Sequence, residues 1–214
     1  MAELVSIERD SPLSARAALE DCISAGGIAI FPADTLYGLA CDPSNAEAID
    51  RIHVLKGRDE GKPSAVMFFS PLAMRELLST LGARTRAALG VLLPGPVTAV
   101  VPNPARLYPL ACQEDPERLG VRLIDGPLAG ASCAIFQTSA NRSGEPSPAR
   151  LEDVDPALRG GAELAIDGGE LGGAPSTVVD LTRLELAGEW SILRQGALDE
   201  ASISGLLASL SSGA

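Results

Sequence analysis

The chain has 214 residues, with 17 Lys and Arg against 28 Asp and Glu, for a formal net charge of −11. That length suits one large domain or two small ones and is enough to bury a sizeable core, and a hydrophobic fraction of 46% with mixed charge excludes a disordered chain. The acid excess argues against a broad grip on nucleic-acid phosphates, which needs a basic face, while leaving room for a local anion site.

Residues 1–11 read as a lead-in. They have no basic n-region or apolar h-region, so no secretory signal is expected. Ser11 and Pro12 open a helix over 12–25 that stops at Gly26. A short buried strand follows over 27–32 and ends at a proline. Ser44-Asn-Ala-Glu47 is a capping-box pattern opening a second helix, with Ile49, Ile52 and Leu55 on its buried stripe. That helix ends at Lys56, with Gly57 in the stop position. Residues 64–69 read as a strand, and 71–91 as one or two helices broken at Gly82. Strands over 97–101 and 119–123 flank a Pro-rich loop. Further strands are expected over 133–137, 163–166, 177–181 and 191–194, with a closing helix over 198–209. Helices and strands mix without strict alternation, which predicts one α/β domain over 12–200 with a twisted mixed sheet and flanking helices. Residues 201–214 form the end of the last helix and a tail.

The four cysteines (Cys22, Cys41, Cys112, Cys133) are scattered, and no apolar run approaches membrane-spanning length. Reduced thiols in a cytoplasmic protein are the expectation, with no membrane association. A P-loop, a dinucleotide fingerprint and a nucleophile elbow are all absent. The single histidine, His53, reads as an ordinary helix residue; no zinc or other metal site is expected.

Four polar segments stand at element ends. Pro32-Ala-Asp-Thr-Leu-Tyr-Gly38 either lines a site or makes a plain Asx-turn. Fifteen of the basic residues are Arg, and both lysines fall in Lys56-Gly-Arg-Asp-Glu-Gly-Lys62. Cations there complement a helix dipole in a solvated loop, or bind a polyphosphate with the point charge of Lys and the planar fork of Arg. Thr138-Ser-Ala-Asn-Arg-Ser-Gly144 is a Ser/Asn-rich turn or an anion cradle. Arg122 and Arg194 lie inside apolar strands, where each needs a ligand anion or an internal carboxylate such as Asp34 or Asp125.

In this order, the segments resemble the YrdC/TsaC family of threonylcarbamoyl-AMP synthases. The match runs through Pro-Ala-Asp-Thr-Leu-Tyr-Gly (32–38), Lys-Gly-Arg…Lys-Pro (56–63), Pro-Gly-Pro-Val-Thr (94–98) and Val-Arg (121–122). It continues through Thr-Ser-Ala-Asn-Arg-Ser-Gly (138–144), Ser-Pro (147–148), Ile-Asp-Gly-Gly (166–169), Ser-Thr-Val-Val-Asp (176–180) and Leu-Arg-Gln-Gly-Ala (193–197). The resemblance implies a single YrdC-like domain with a concave cleft. It implies synthesis of threonylcarbamoyl-AMP and pyrophosphate from L-threonine, bicarbonate or CO2, and ATP accompanied by Mg2+. The product would feed the t6A modification of tRNA through a separate transferase complex, with tRNA itself bound weakly at most. Lys56 and Arg58 would then bind the phosphates and act in catalysis. Lys62, Ser139, Asn141, Ser147 and Arg194 would also contact ATP, and Thr35, Arg122, Gln137 and Ser176 would hold threonine. Replacing Lys56 with Ala should cause a large loss of activity without unfolding, its side chain serving the phosphates and not the core. Ala33, Met67 and Arg118 depart from the family, which many members fill with Thr, His and a small polar residue. These departures also fit a paralogue of YciO type, with nucleotide or RNA binding and altered synthase activity.

Overall fold

The computed structural model describes residues 2–57 and 61–212. Its ten strands are β1 (Glu3–Ser6), β2 (Ala29–Pro32), β3 (Tyr37–Cys41), β4 (Ala65–Phe68), β5 (Val97–Pro102), β6 (Arg118–Leu123), β7 (Ile135–Ser139), β8 (Leu164–Asp167), β9 (Thr177–Asp180) and β10 (Ser191–Arg194). They form one sheet in the order β1-β8-β2-β3-β7-β4-β6-β5-β9-β10. Parallel pairs (β1 with β8, β8 with β2, β4 with β6, β5 with β9) are combined with antiparallel ones, so the sheet is mixed, as its irregular helix–strand succession suggested.

Because successive strand residues face opposite sides, each strand contributes to two different surfaces. On one side, Ile30, Leu39, Val66, Phe68, Val121 and Phe136 join the larger apolar core. Helices Ala46–Lys56, Ala83–Leu92 and Glu200–Ala208 cover this side with Ile49, Ile52, Leu89 and Ile203. On the other side, helix Pro12–Ser24 lays Ala15, Leu19 and Ile23 over Val5, Phe31 and Ile166 to make a second, smaller core. That helix packs on β1, β8 and β2, at one end of the sheet. Over β7, β4, β6, β5 and β9 the same face carries Gln137, Ser139, Ala65, Arg118, Gly120, Arg122, Thr98 and Val178, and these line a cavity.

Local structure follows the residue chemistry in most places. Ser11 caps helix Pro12–Ser24 by accepting from Ser14 N at 3.3 Å. Gly57 ends helix Ala46–Lys56 in the left-handed region at φ 58°, which only glycine adopts at no cost. The break at Gly82 separates Arg75–Thr80 from Ala83–Leu92. Three features differ from expectation. Helix Ala46–Lys56 is capped by Asn45, whose side chain accepts from Ala48 N at 3.0 Å, while the Ser44 hydroxyl bonds back to Asp42. Residues 37–41, of which Tyr37 and Gly38 fall in the expected strand-end turn and the rest had no element assigned, form the fully buried strand β3. Gly38 permits this: a Cβ there would lie 2.8 Å from the Phe31 ring and 3.2 Å from the Thr138 carbonyl, so the central strand packs only with glycine. Within the expected lead-in, Glu3–Ser6 pair with β8 as an edge strand.

Candidate active site

The cavity on the uncovered face has a volume of about 460 Å³. Three strands supply its floor through alternate residues: Thr98 and Val100 of β5, Arg118, Gly120 and Arg122 of β6, and Val178 of β9. Of the residues marked in the sequence, Thr35, Arg122, Gln137, Ser139, Ser147, Ser176 and Arg194 all line it. They come from positions up to 159 apart in the chain, and the fold brings them to one cavity.

Arg122 is 5% exposed and pairs closely with Asp34 at the tip of the β2–β3 hairpin. Of the two partners the sequence left open, a ligand anion or an internal carboxylate, the structure therefore holds the internal one. The pair is single-pronged: Nη2 meets Oδ1, while Arg122 Nε and Asp34 Oδ2 are buried with no hydrogen-bond partner among the described residues. Arg194 does not lie inside an apolar strand; β10 is an exposed edge strand. Its Nη2 donates to the Ser176 carbonyl at 2.8 Å and reaches the Ser176 hydroxyl at 3.3 Å. The Ser176 hydroxyl in turn meets Thr98 Oγ1 at 2.9 Å. Partial burial and the facing Arg122 charge lower the pKa of the Arg194 guanidinium. Two like charges held toward one cavity favour an anion between them. Arg118 adds a third guanidinium to the wall, tied to Asp180 at 2.7 Å and to Asp115 at 3.6 Å.

The opposite wall is a loop. Lys56 is 4% exposed, so it does not stand as an open phosphate hook. Its Nζ donates to the Ser139 carbonyl, to the Asn141 carbonyl at 2.7 Å and more weakly to Asn141 Oδ1 at 3.5 Å. Ser143 N returns a bond to the Lys56 carbonyl at 2.8 Å. The side chain therefore holds this loop rather than serving phosphates alone, and loss of Lys56 would strip these acceptors. Asn141 is turned into its own loop and does not line the cavity. Its Oδ1 accepts from the Ser139 and Ser147 hydroxyls, and its Nδ2 donates to the Arg142 and Glu145 carbonyls at 2.8 and 2.6 Å. Lys62 is exposed beside the lining residues Pro63 and Ser64. Arg58 lies outside the described residues.

The three departures also find places. Met67 is wholly buried in the smaller core, in register with Arg122 on one side and Ile135 on the other. Ala33 is buried in the same core and closes the hairpin through its N–H to the Leu36 carbonyl at 3.2 Å. Arg118 is neutralised by its two carboxylates. Sequence reasoning did not mark Thr98, Asp115 or Tyr37 individually, although Thr98 and Tyr37 sit within quoted motifs. Tyr37 is fully buried; its hydroxyl donates to the Gly169 carbonyl and accepts from Gly168 N, both at 2.9 Å. Burial pushes its phenol up to about 12, so it acts as a permanent strut between two motif segments. His53, expected as an ordinary helix residue, is buried with its ring edge-on to Phe136.

The sequence profile of the Sua5/YciO/YrdC family, described as telomere recombination, matches residues 21–196. The chain belongs to the Sua5/YciO/YrdC family. A threonylcarbamoyl-AMP synthase of Chromohalobacter salexigens is 36% identical over 163 residues, covering 73% of this chain and 86% of that protein. A threonylcarbamoyl-AMP synthase of Thiobacillus denitrificans is 33% identical over 179 residues, covering 80% and 94%. Among solved structures, P. abyssi Sua5 complexed with L-threonine superposes with a TM-score of 0.80 at 28% identity, over 96% of this chain. This chain spans 60% of that longer Sua5 chain. The Sua5/YciO/YrdC fold is therefore the frame in which the cavity sits. Among the described residues, no group of three or more His, Cys, Asp or Glu side chains could hold a metal ion, and no helix is long and apolar enough to cross a membrane.

Proposed function

We propose that this protein is a threonylcarbamoyl-AMP synthase. It joins L-threonine, bicarbonate or CO2, and ATP to give threonylcarbamoyl-AMP and pyrophosphate. The observation that carries this reading is the pair of arginines, Arg122 and Arg194, facing one cavity whose rim is set with the hydroxyls of Thr35, Ser139, Ser147 and Ser176.

The threonine carboxylate is assigned to Arg122, with Thr35, Gln137 and Ser176 around it. Threonine's ammonium first gives up a proton. The free amine adds to CO2 and releases a second proton to solvent to give a carbamate. A carbamate oxygen then attacks the α-phosphorus of ATP, and pyrophosphate leaves. Negative charge grows on phosphate oxygens during that displacement, so the protein's task is to align reactants and neutralise charge. Arg194, the Ser139 and Ser147 hydroxyls, Lys62 and Arg58 are assigned to the nucleotide. Lys56 and Asn141 serve the same end by fixing the 139–147 loop, the lysine's ammonium bonding the Ser139 carbonyl and Asn141 Oδ1 the Ser139 hydroxyl. ATP enters as its magnesium complex, the ion carried on the phosphates. The product is handed to a separate transferase for t6A formation in the cytoplasm, and with a net charge of −11 this chain has no broad tRNA-binding role.

Pyrophosphate release from ATP, measured with and without L-threonine and bicarbonate, tests this assignment. Release should require both; folded protein that shows none above the threonine-free control refutes it. ATP binding without threonine-stimulated turnover would instead mark a YciO-type paralogue.

A further inference from the structure

The ion pair between Arg122 and Asp34 leaves two buried atoms, Arg122 Nε and Asp34 Oδ2, without a hydrogen-bond partner among the described residues. Their side chains are 6% and 17% exposed. Arg122 lines the main cavity, and Asp34 lines a neighbouring cavity of about 410 Å³; Thr35 lines both. The pair therefore stands on the partition between the two.

We propose that Asp34 receives the α-ammonium of the amino-acid substrate, and that the Arg122–Asp34 pair opens only for a zwitterion. This rests on the reading of the cavity as an amino-acid site. Charge accounting leads to it. A ligand carboxylate that draws Arg122 toward itself takes the guanidinium from Asp34. A buried carboxylate stripped of its counter-charge is strongly destabilising. A simple carboxylic acid would leave Asp34 in that state and would bind poorly. A zwitterion brings its own replacement: its carboxylate takes Arg122 while its ammonium takes Asp34. The net charge at the wall stays unchanged, every buried charge keeps a partner, and the two unused atoms gain one. The free pair thus works as a latch that rejects monoanions. Asp34 is a specificity-determining residue, separate from the carboxylate contact assigned to Arg122.

Calorimetric titration of the full chain with L-threonine and with (R)-3-hydroxybutanoate tests this, since the second ligand keeps the carboxylate and hydroxyl but lacks the amine. The wild-type protein should prefer threonine by about tenfold or more. In Asp34→Asn the preference should shrink to within about threefold. The loss should come from weaker threonine binding, with hydroxybutanoate bound at least as well as by the wild type because Arg122 is no longer paired. Asp34→Glu, which keeps the charge, should retain the preference, and it keeps the proposal testable if the Asn variant does not fold. Equal weakening of both ligands in Asp34→Asn would show that Asp34 only holds Arg122, and would overturn the proposal while wild-type threonine-dependent turnover still stood. An unchanged preference would overturn it as well. Wild-type protein without threonine-dependent pyrophosphate release would instead fail the synthase reading itself.

Discussion

The two walls of the cavity solve the same problem, presenting polar groups to a ligand, in different ways. The strand wall carries Arg122, Thr98, Ser176 and Arg194 on neighbouring strands or directly beside them, with side chains linked across elements: Arg122 to Asp34, Thr98 to Ser176, Ser176 to Arg194. The loop wall satisfies itself. Ser139, Ser147 and Asn141 bond to one another, and a single buried ammonium from the end of a helix holds two of the loop's carbonyls. A sheet fixes side chains through its ladder, so the strand wall is preorganised and its residues can be spent on ligand contacts. A loop has no ladder, so its hydrogen-bonding groups hold its shape first and meet a ligand second.

The strand wall should be the more sensitive to loss of a ligand contact. Arg122→Ala should lower kcat/KM for threonine by roughly a hundredfold or more, because it deletes the carboxylate contact and leaves Asp34 buried without a cation. Arg122→Lys should recover little, since an ammonium cannot offer the same planar fork. Steady-state pyrophosphate release at varied threonine measures both, and a loss below about fivefold would mean that the strand wall does not hold the amino acid.

The loop wall should respond through folding. Lys56→Met removes a buried cation from two carbonyls, and the unfolding free energy should fall by roughly 2–4 kcal/mol, read from urea denaturation. Activity should fall with it. A variant of unchanged stability would show that the loop is shaped without its anchor. Asn141→Ala should cost about 1–2 kcal/mol and raise the KM for ATP several-fold, with the KM for threonine unmoved. If both KM values rise together, the two walls are one unit and the contrast between them fails.

That division was only partly legible in the sequence. Strand periodicity and the glycine and proline stops located most of the elements, since those signals are local. β3 was missed because Tyr37-Gly-Leu-Ala-Cys41 carries a glycine and follows a turn motif. The reason for that glycine, the Phe31 ring across the ladder, depends on pairing. The chemistry of Lys56, Ser139 and Arg122 showed in their residue types, but their partners did not. Asp34 lies 88 residues from Arg122, and the Ser139 carbonyl 83 residues from Lys56. A lysine near a helix end in an acidic chain reads as a solvent-facing charge, and only the packing of the 139–143 turn against that helix end buries it. Arg194 failed in the opposite sense: its apolar neighbours suggested burial, but the strand they form lies at the sheet's edge.

The smallest expected effect tests the strand wall at its most redundant point. Ser176→Ala removes the 2.9 Å bond to Thr98 and the 3.3 Å bond from Arg194, yet Arg194 keeps the Ser176 carbonyl at 2.8 Å, which the substitution does not touch. The guanidinium therefore stays in place, and only one well-formed side-chain bond is lost, worth about 1 kcal/mol. The KM for threonine should rise about three- to fivefold with kcat unchanged, and Thr98→Ala should produce a smaller rise in the same direction, because Thr98 would act only through Ser176. The double variant should be no worse than Ser176→Ala alone, since both substitutions delete the same bond. Additive losses would mean that Thr98 touches the amino acid directly, and the strand wall would then extend one strand deeper into the sheet than its hydrogen bonds indicate.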